Sequence, residues 1–126
     1  MNVKGKNPTK AQRAYWGAVA QNGCVACKKD GHYNSHVSIH HIDGRTKPHA
    51  HWLVLALCAG HHQDGTGNDR SMVAVHPYKR RFEYDYGAQF GLYQQTNRDL
   101  IARGLSFEKN GWKEVDLVNG FYEVVE

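Results

Sequence analysis

Apolar positions change their spacing several times along the chain, and each change predicts an element. Tyr15, Trp16 and Val19 repeat at the helical interval within AQRAYWGAVAQ, with Thr9 as an N-cap and Asn22-Gly23 as the stop. HVSIHHI alternates as a strand does, and DGRTKPHA carries the Gly, Pro and charge of a loop. HWLVLALC is a short apolar run that predicts a second strand or the continuation of the first. QDGTGNDRS has no periodicity and reads as a loop. Pro77 suits the first position of a helix over KRRFEYDY, which Gly87 ends. A further helix over AQFGLYQQTNRDLIAR stops at Gly104. The tail, WKEVDLVNGFYEVV, alternates around Asn119-Gly120, a strong hairpin signal, so an accessory β-hairpin is expected over 105–126.

These elements predict one small α+β domain over residues 1–126, loose and basic over 1–8. A chain of 126 residues suits a single core but buries only part of its surface, and a domain this small often needs a staple. No apolar run approaches the roughly 18 residues of a membrane span, and the N-terminus lacks the apolar stretch of a signal peptide. A reducing, cytoplasmic setting is therefore expected. Net charge is +4, with Lys4, Lys6, Lys10 and Arg13 at one end and Lys79, Arg80 and Arg81 in a second cluster. Such clusters suit a polyanion, whose counterions they displace, or simply form a solvated face.

The chemistry concentrates in the middle. All nine histidines lie between His32 and His76. Cys24 and Cys27 form C-x-x-C, and Cys58 and His61 form C-x-x-H. Two such pairs on tight turns can close a tetrahedral Cys₃His shell around structural zinc. Buried free thiols and a redox C-x-x-C are the alternatives. The redox option lacks a surrounding βαβ pattern, and an odd cysteine count disfavours a disulfide framework.

Between the pairs stands His40-His41, and just past the second pair stands His62. On a regular strand His40 and His41 face opposite ways, so they can split the work: one binds metal and the other activates water. Phosphodiester hydrolysis needs such a base, titrating near neutrality, and a cation beside the leaving oxygen. His40 and His62 can hold the cation, His41 can be the base, and Arg45 and Lys47 can grip flanking phosphates. His76 is a further candidate ligand. His32, His36 and His49 read as solvent or outer groups. Phe82, Tyr84, Tyr86 and Phe90 can stack on unpaired bases, although helix packing is the simpler reading.

C-x-x-C, His-His at a strand end, an apolar strand ending in Leu-Cys and then x-x-His-His together resemble the HNH (ββα-metal) nucleases. The string HHIDGRTKPHAH, with LCAGHHQ and FEYDYG, is similar to the phage recombination-enhancement branch, described as RecA-dependent nucleases. The resemblance spans roughly residues 11–103 and is specific over 39–62. It implies a zinc-stapled ββα-metal core over 24–62 with flanking helices. It also implies a catalytic divalent cation, Mg²⁺ by expectation with Zn²⁺ or Mn²⁺ as alternatives, held by His40 and His62 with His41 as general base. DNA, within or beside a RecA filament, is the implied partner. Many HNH proteins carry Asn five residues before the knuckle cysteine, where this chain has Leu53. His51, then Asp43, are the candidates to replace its orienting role.

A zinc module that binds DNA or a recombinase without cleaving is the competing reading, but it has no need of the His-His pair beside His62. A deaminase would place a Glu close to the first ligand, and the glutamates here are Glu83, Glu108, Glu114, Glu123 and Glu126.

Overall fold

The computed structural model describes residues 6–47, 49–64 and 73–123. Thr9 caps the first helix, α1 (Lys10–Gln21), through a reciprocal box: its side chain accepts from the Gln12 N–H, and the Gln12 side chain accepts from the Thr9 N–H. A short helix, α2 (Val25–Lys29), follows directly, with Cys24 as its N-cap. Strand β1 (Val37–His41) then pairs antiparallel with β2 (Val54–Cys58), joined by a loop that ends in a 3₁₀ turn, Ala50–Trp52. A wide π turn, Gly60–Asp64, leaves β2. Helices α3 (Lys79–Tyr86), α4 (Gln89–Ala102) and α5 (Lys113–Glu123) complete the described chain. The expected loop over QDGTGNDRS, apart from Gln63 and Asp64, and residues 1–5 of the expected loose N-terminus lie outside the described residues.

All five residues of β2 are buried, and this strand is the spine of the core. Tyr15 and Val19 from α1 pack in the same core as Leu55 and Leu57, with Phe82, Tyr93 and Leu100 from the later helices. Register sets His40 opposite Leu55 and His41 opposite Val54. Because side chains alternate along a strand, Ser38 and His40 share one face while Val37, Ile39 and His41 share the other. This division positions everything that follows.

Two expectations are corrected. The tail is not a hairpin but the helix α5. Trp112, Val115 and Val118 are buried at a spacing of three, whereas Leu117, which alternation would bury beside Val115, is 60% exposed. Glu114 and Asp116 also suit the positive end of the helix dipole in its first turn. Helical burial therefore overrides the local preference of Asn119-Gly120. Helix α3 begins at Lys79 rather than at Pro77, which sits in the preceding turn. No helix among the described residues is long and apolar enough to cross a membrane.

Candidate metal centre and histidine relay

The paired knuckles converge. Cys24, Cys27, Cys58 and His61 are all buried, and their ligand atoms lie within 4.8 Å of one another. The Cys27 and Cys58 sulfurs are 3.8 Å apart, and His61 Nδ1 stands 3.5, 3.6 and 3.2 Å from the sulfurs of Cys24, Cys27 and Cys58. A tetrahedral zinc with ordinary bond lengths has S···S edges of about 3.8 Å and S···N edges of about 3.5 Å. The donor set therefore fits zinc in both chemistry and size.

Local structure explains the convergence. Gly23 adopts a φ of +86°, and a Cβ there would lie 2.8 Å from the Tyr33 ring. Only glycine turns the chain there while leaving room for Tyr33. The Cys27 N–H points at Cys24 Sγ, and the Cys24 N–H bonds the Asn34 carbonyl. Burial pushes the thiol of Cys27 up to about 12 and raises that of Cys24, so a metal ion would have to displace their protons to bind. Behind His61, its Nε2–H faces Tyr86 Oη at 2.9 Å, and Tyr86 Oη donates to Asp30 at 3.4 Å. Such an outer partner fixes the ring with Nδ1 toward the three sulfurs.

A second cluster forms beside it. His40, His62 and His76 bring ligand nitrogens within 4.8 Å of one another. Their ring centroids are separated by 5.2 Å (His40–His62), 4.9 Å (His40–His76) and 5.5 Å (His62–His76). The His76 N–H donates to the His62 carbonyl at 3.0 Å, and the Val75 N–H to that of His61 at 2.8 Å. These bonds lay the chain before α3 along the π turn. His62 Nδ1 lies 2.8 Å from Ser38 Oγ, a contact that ties the ring to β1. Burial lowers His40 to about 4, against its hydrogen bond to the Gln89 side-chain oxygen, so its ring is neutral at pH 7 and able to coordinate.

His41 looks the other way. Its ring meets Trp16 edge-on at 5.3 Å, and its Nε2 lies 2.9 Å from His51 Nδ1. His51 Nε2 in turn faces the main-chain carbonyl of Lys6. A carbonyl only accepts, so His51 carries its proton on Nε2 and accepts on Nδ1. His41 must then donate from Nε2, leaving its Nδ1 lone pair free. Trp16 anchors the arrangement by donating from Nε1 to the His51 carbonyl at 2.7 Å. Burial, then the positive charge of Arg45, lower His41 to about 4, below the near-neutral value expected of the base, so the ring is unprotonated at neutral pH.

Of the sequence candidates, the fold thus gathers Cys24, Cys27, Cys58 and His61 into one cluster and His40, His62 and His76 into another, with His41 and His51 as a linked pair. Arg45 is exposed and close enough to His41 to act on its charge. Lys47 and Asp43 form an ion pair with each other at 3.8 Å. His32 and His36 are exposed, as expected. His49 is not merely solvated: it contacts Glu114 at 3.1 Å and ties the loop to α5. Phe82 and Tyr86 are buried, while Tyr84 is exposed. Sequence reasoning missed Gln89, which is buried against His40, and nothing in its neighbourhood along the chain marks it. It also missed Lys6 as an anchor, since the stretch through Pro8 read as loose.

Residues 8–101 match the family model for recombination enhancement, RecA-dependent nuclease. The chain belongs to that family. Both histidine arrangements and the cysteine cluster lie within the matched span, apart from the Lys6 carbonyl.

Proposed function

We propose that the protein is a metal-dependent endonuclease of the HNH type that hydrolyses DNA phosphodiester bonds, acting with a RecA filament. The observation that carries this reading is one strand end. It presents a three-imidazole cluster on one face and, on the other, an imidazole whose Nδ1 is left free by a fixed hydrogen-bond relay. The family's description supports the nuclease activity and the RecA dependence.

In this reading His40, His62 and His76 hold the catalytic ion, and Cys24, Cys27, Cys58 and His61 hold structural zinc. The catalytic ion, when bound, supplies positive charge to the scissile phosphate and its departing 3′ oxygen. His41 Nδ1 takes a proton from water, and the resulting hydroxide attacks phosphorus in line with the 3′ oxygen. The P–O3′ bond breaks, that oxygen takes up a proton, and the products carry a 5′ phosphate and a 3′ hydroxyl. His41, now an imidazolium, keeps its Nε2–H on His51 Nδ1, and the Lys6 carbonyl stabilises His51 from behind. His51 thus does the orienting work that Asn does elsewhere in HNH proteins. Arg45 is the phosphate contact nearest the base. Lys47 must first leave Asp43, a surface pair worth little.

Three neutral imidazoles also bear on the ion. Nitrogen donors suit zinc, manganese or nickel better than magnesium, which prefers oxygen. A binding module without catalysis would leave both the three-histidine cluster and the oriented His41 without a purpose. End-group analysis of products made with RecA, ATP and a defined ion tests the reading. The expected ends are 5′ phosphates, lost with His62→Ala. Products ending in 3′ phosphates contradict the proposed polarity, and undiminished cleavage by His62→Ala contradicts the ion site.

A further inference from the structure

The buried end of His40 poses a question that the three-histidine cluster does not answer by itself. Its Nε2 lies 2.7 Å from Gln89 Oε1, and the Gln89 amide nitrogen donates to Glu83 Oε2 at 3.1 Å. Gln89 is only 5% exposed and opens α4, whereas Glu83 lies on α3. The break at Gly87, with φ of +108°, turns the chain between them. A carboxylate only accepts hydrogen bonds, so the amide nitrogen must face Glu83 and the amide oxygen must face His40. His40 must then carry its proton on Nε2. Its lone pair is left on Nδ1, the nitrogen free to join His62 and His76.

We propose that Gln89, backed by Glu83, is a positioning residue that locks His40 in the Nδ1-coordinating tautomer. The proposal rests on the metal reading of His40, His62 and His76. It gives α3 and α4 a role in the site, although neither helix supplies a ligand. Glu83 and Gln89 hold the first ring, just as Ser38 holds His62 and Tyr86 holds His61. Without the carboxylate, the amide is free to flip and present its N–H₂ to His40, which favours the wrong tautomer. Outer partners of this kind carry about 10- to 100-fold in metal affinity.

Two measurements test it. The first titrates Co²⁺ into protein that already carries one equivalent of zinc, read by visible absorption. Gln89→Met, similar in length but unable to accept, is expected to weaken Co²⁺ binding by about 10- to 100-fold. Glu83→Ala is expected to weaken it less, in the same direction, with the zinc content of both variants unchanged. Co²⁺ binding by Gln89→Met as tight as the native protein's, with His40→Ala abolishing it, overturns the positioning role alone. Binding unaffected by His40→Ala overturns the metal reading and the proposal with it.

The second needs no variant. Long-range ¹H–¹⁵N spectra of the native protein loaded with two equivalents of zinc report the His40 tautomer directly. A protonated Nε2 with a metal-bound Nδ1 is expected, and the reverse assignment overturns the proposal.

Discussion

His41 Nε2 lies 2.9 Å from His51 Nδ1, and His51 hands the bond on to the carbonyl of Lys6. Two rings and one peptide group thereby decide which nitrogen of His41 is available as a base. His51→Ala should lower single-turnover cleavage about 10- to 100-fold, a misorientation effect on the rate rather than on DNA affinity. His51→Gln, which can still accept from Nε2, should recover part of the loss. Equal rates for the native and Ala proteins would show that the relay is not used.

The four-ligand cluster should carry much of the stability of so small a core. Binding energy at a structural zinc is folding energy. Stripping zinc with a chelator, or Cys58→Ser, should therefore lower the melting temperature by more than about 10 °C, the effect of several kcal/mol in a domain of this size. His62→Ala, outside that cluster, should leave zinc at one equivalent in protein without added catalytic ion. Metal content by atomic absorption beside a thermal melt checks both.

Glycine should matter unequally along the chain. Gly23 and Gly44 both adopt positive φ, +86° and +74°. An added Cβ at Gly23 meets Tyr33 at 2.8 Å, whereas nothing lies within 4 Å at Gly44. Gly44→Ala should cost about 1 kcal/mol of backbone strain. Gly23→Ala should cost more and should also slow zinc uptake, because it moves the turn that delivers Cys24. Urea unfolding of the pair gives the comparison.

Asp99 predicts an acid limb of stability. Burial pushes its carboxyl up, but hydrogen bonds from Gln95, Asn22 and Lys28 outweigh this and hold it below the usual carboxylate range. Its folded value thus lies below the unfolded one. The stabilisation is present above the unfolded value, about 3.9, and is lost as pH falls through the folded value. With Lys28 at 3.3 Å and Asn22 at 3.2 Å, Asp99 ties α1 and α2 to α4. Asp99→Asn should cost about 1 kcal/mol at pH 6, partly screened by solvent. That difference should hold above the unfolded value and shrink as pH falls below about 3.9 in urea melts.

What the sequence made legible were the features set by local chemistry. Thr9, Asn22-Gly23 and Gly104 bound helices at or near the expected positions, because caps and breakers act within a turn of the chain. The cysteine pairs were readable because C-x-x-C and C-x-x-H each set two candidate ligands on one turn. Alternation along HVSIHHI correctly separated His40 from His41. What was hidden depended on partners far along the chain. His76 joins His62 only because the described segment from Val73 returns along the π turn. Gln89 meets His40 across 49 positions, and Lys6 meets His51 across 45. The tail misled for a related reason. Asn119-Gly120 is a strong local signal, but Val115 and Val118 gain more by burying at helical spacing.

The central claim is that His41 is the general base of a metal-dependent nuclease, and His41→Ala tests it most directly. Plasmid cleavage would be measured with RecA, ATP and a defined divalent ion, with melting temperature and zinc content recorded for both proteins. The account predicts that His41→Ala folds, keeps its zinc and loses cleavage by at least about 100-fold, the lower range for a lost general base. Cleavage at the native rate by purified, zinc-loaded His41→Ala would contradict it.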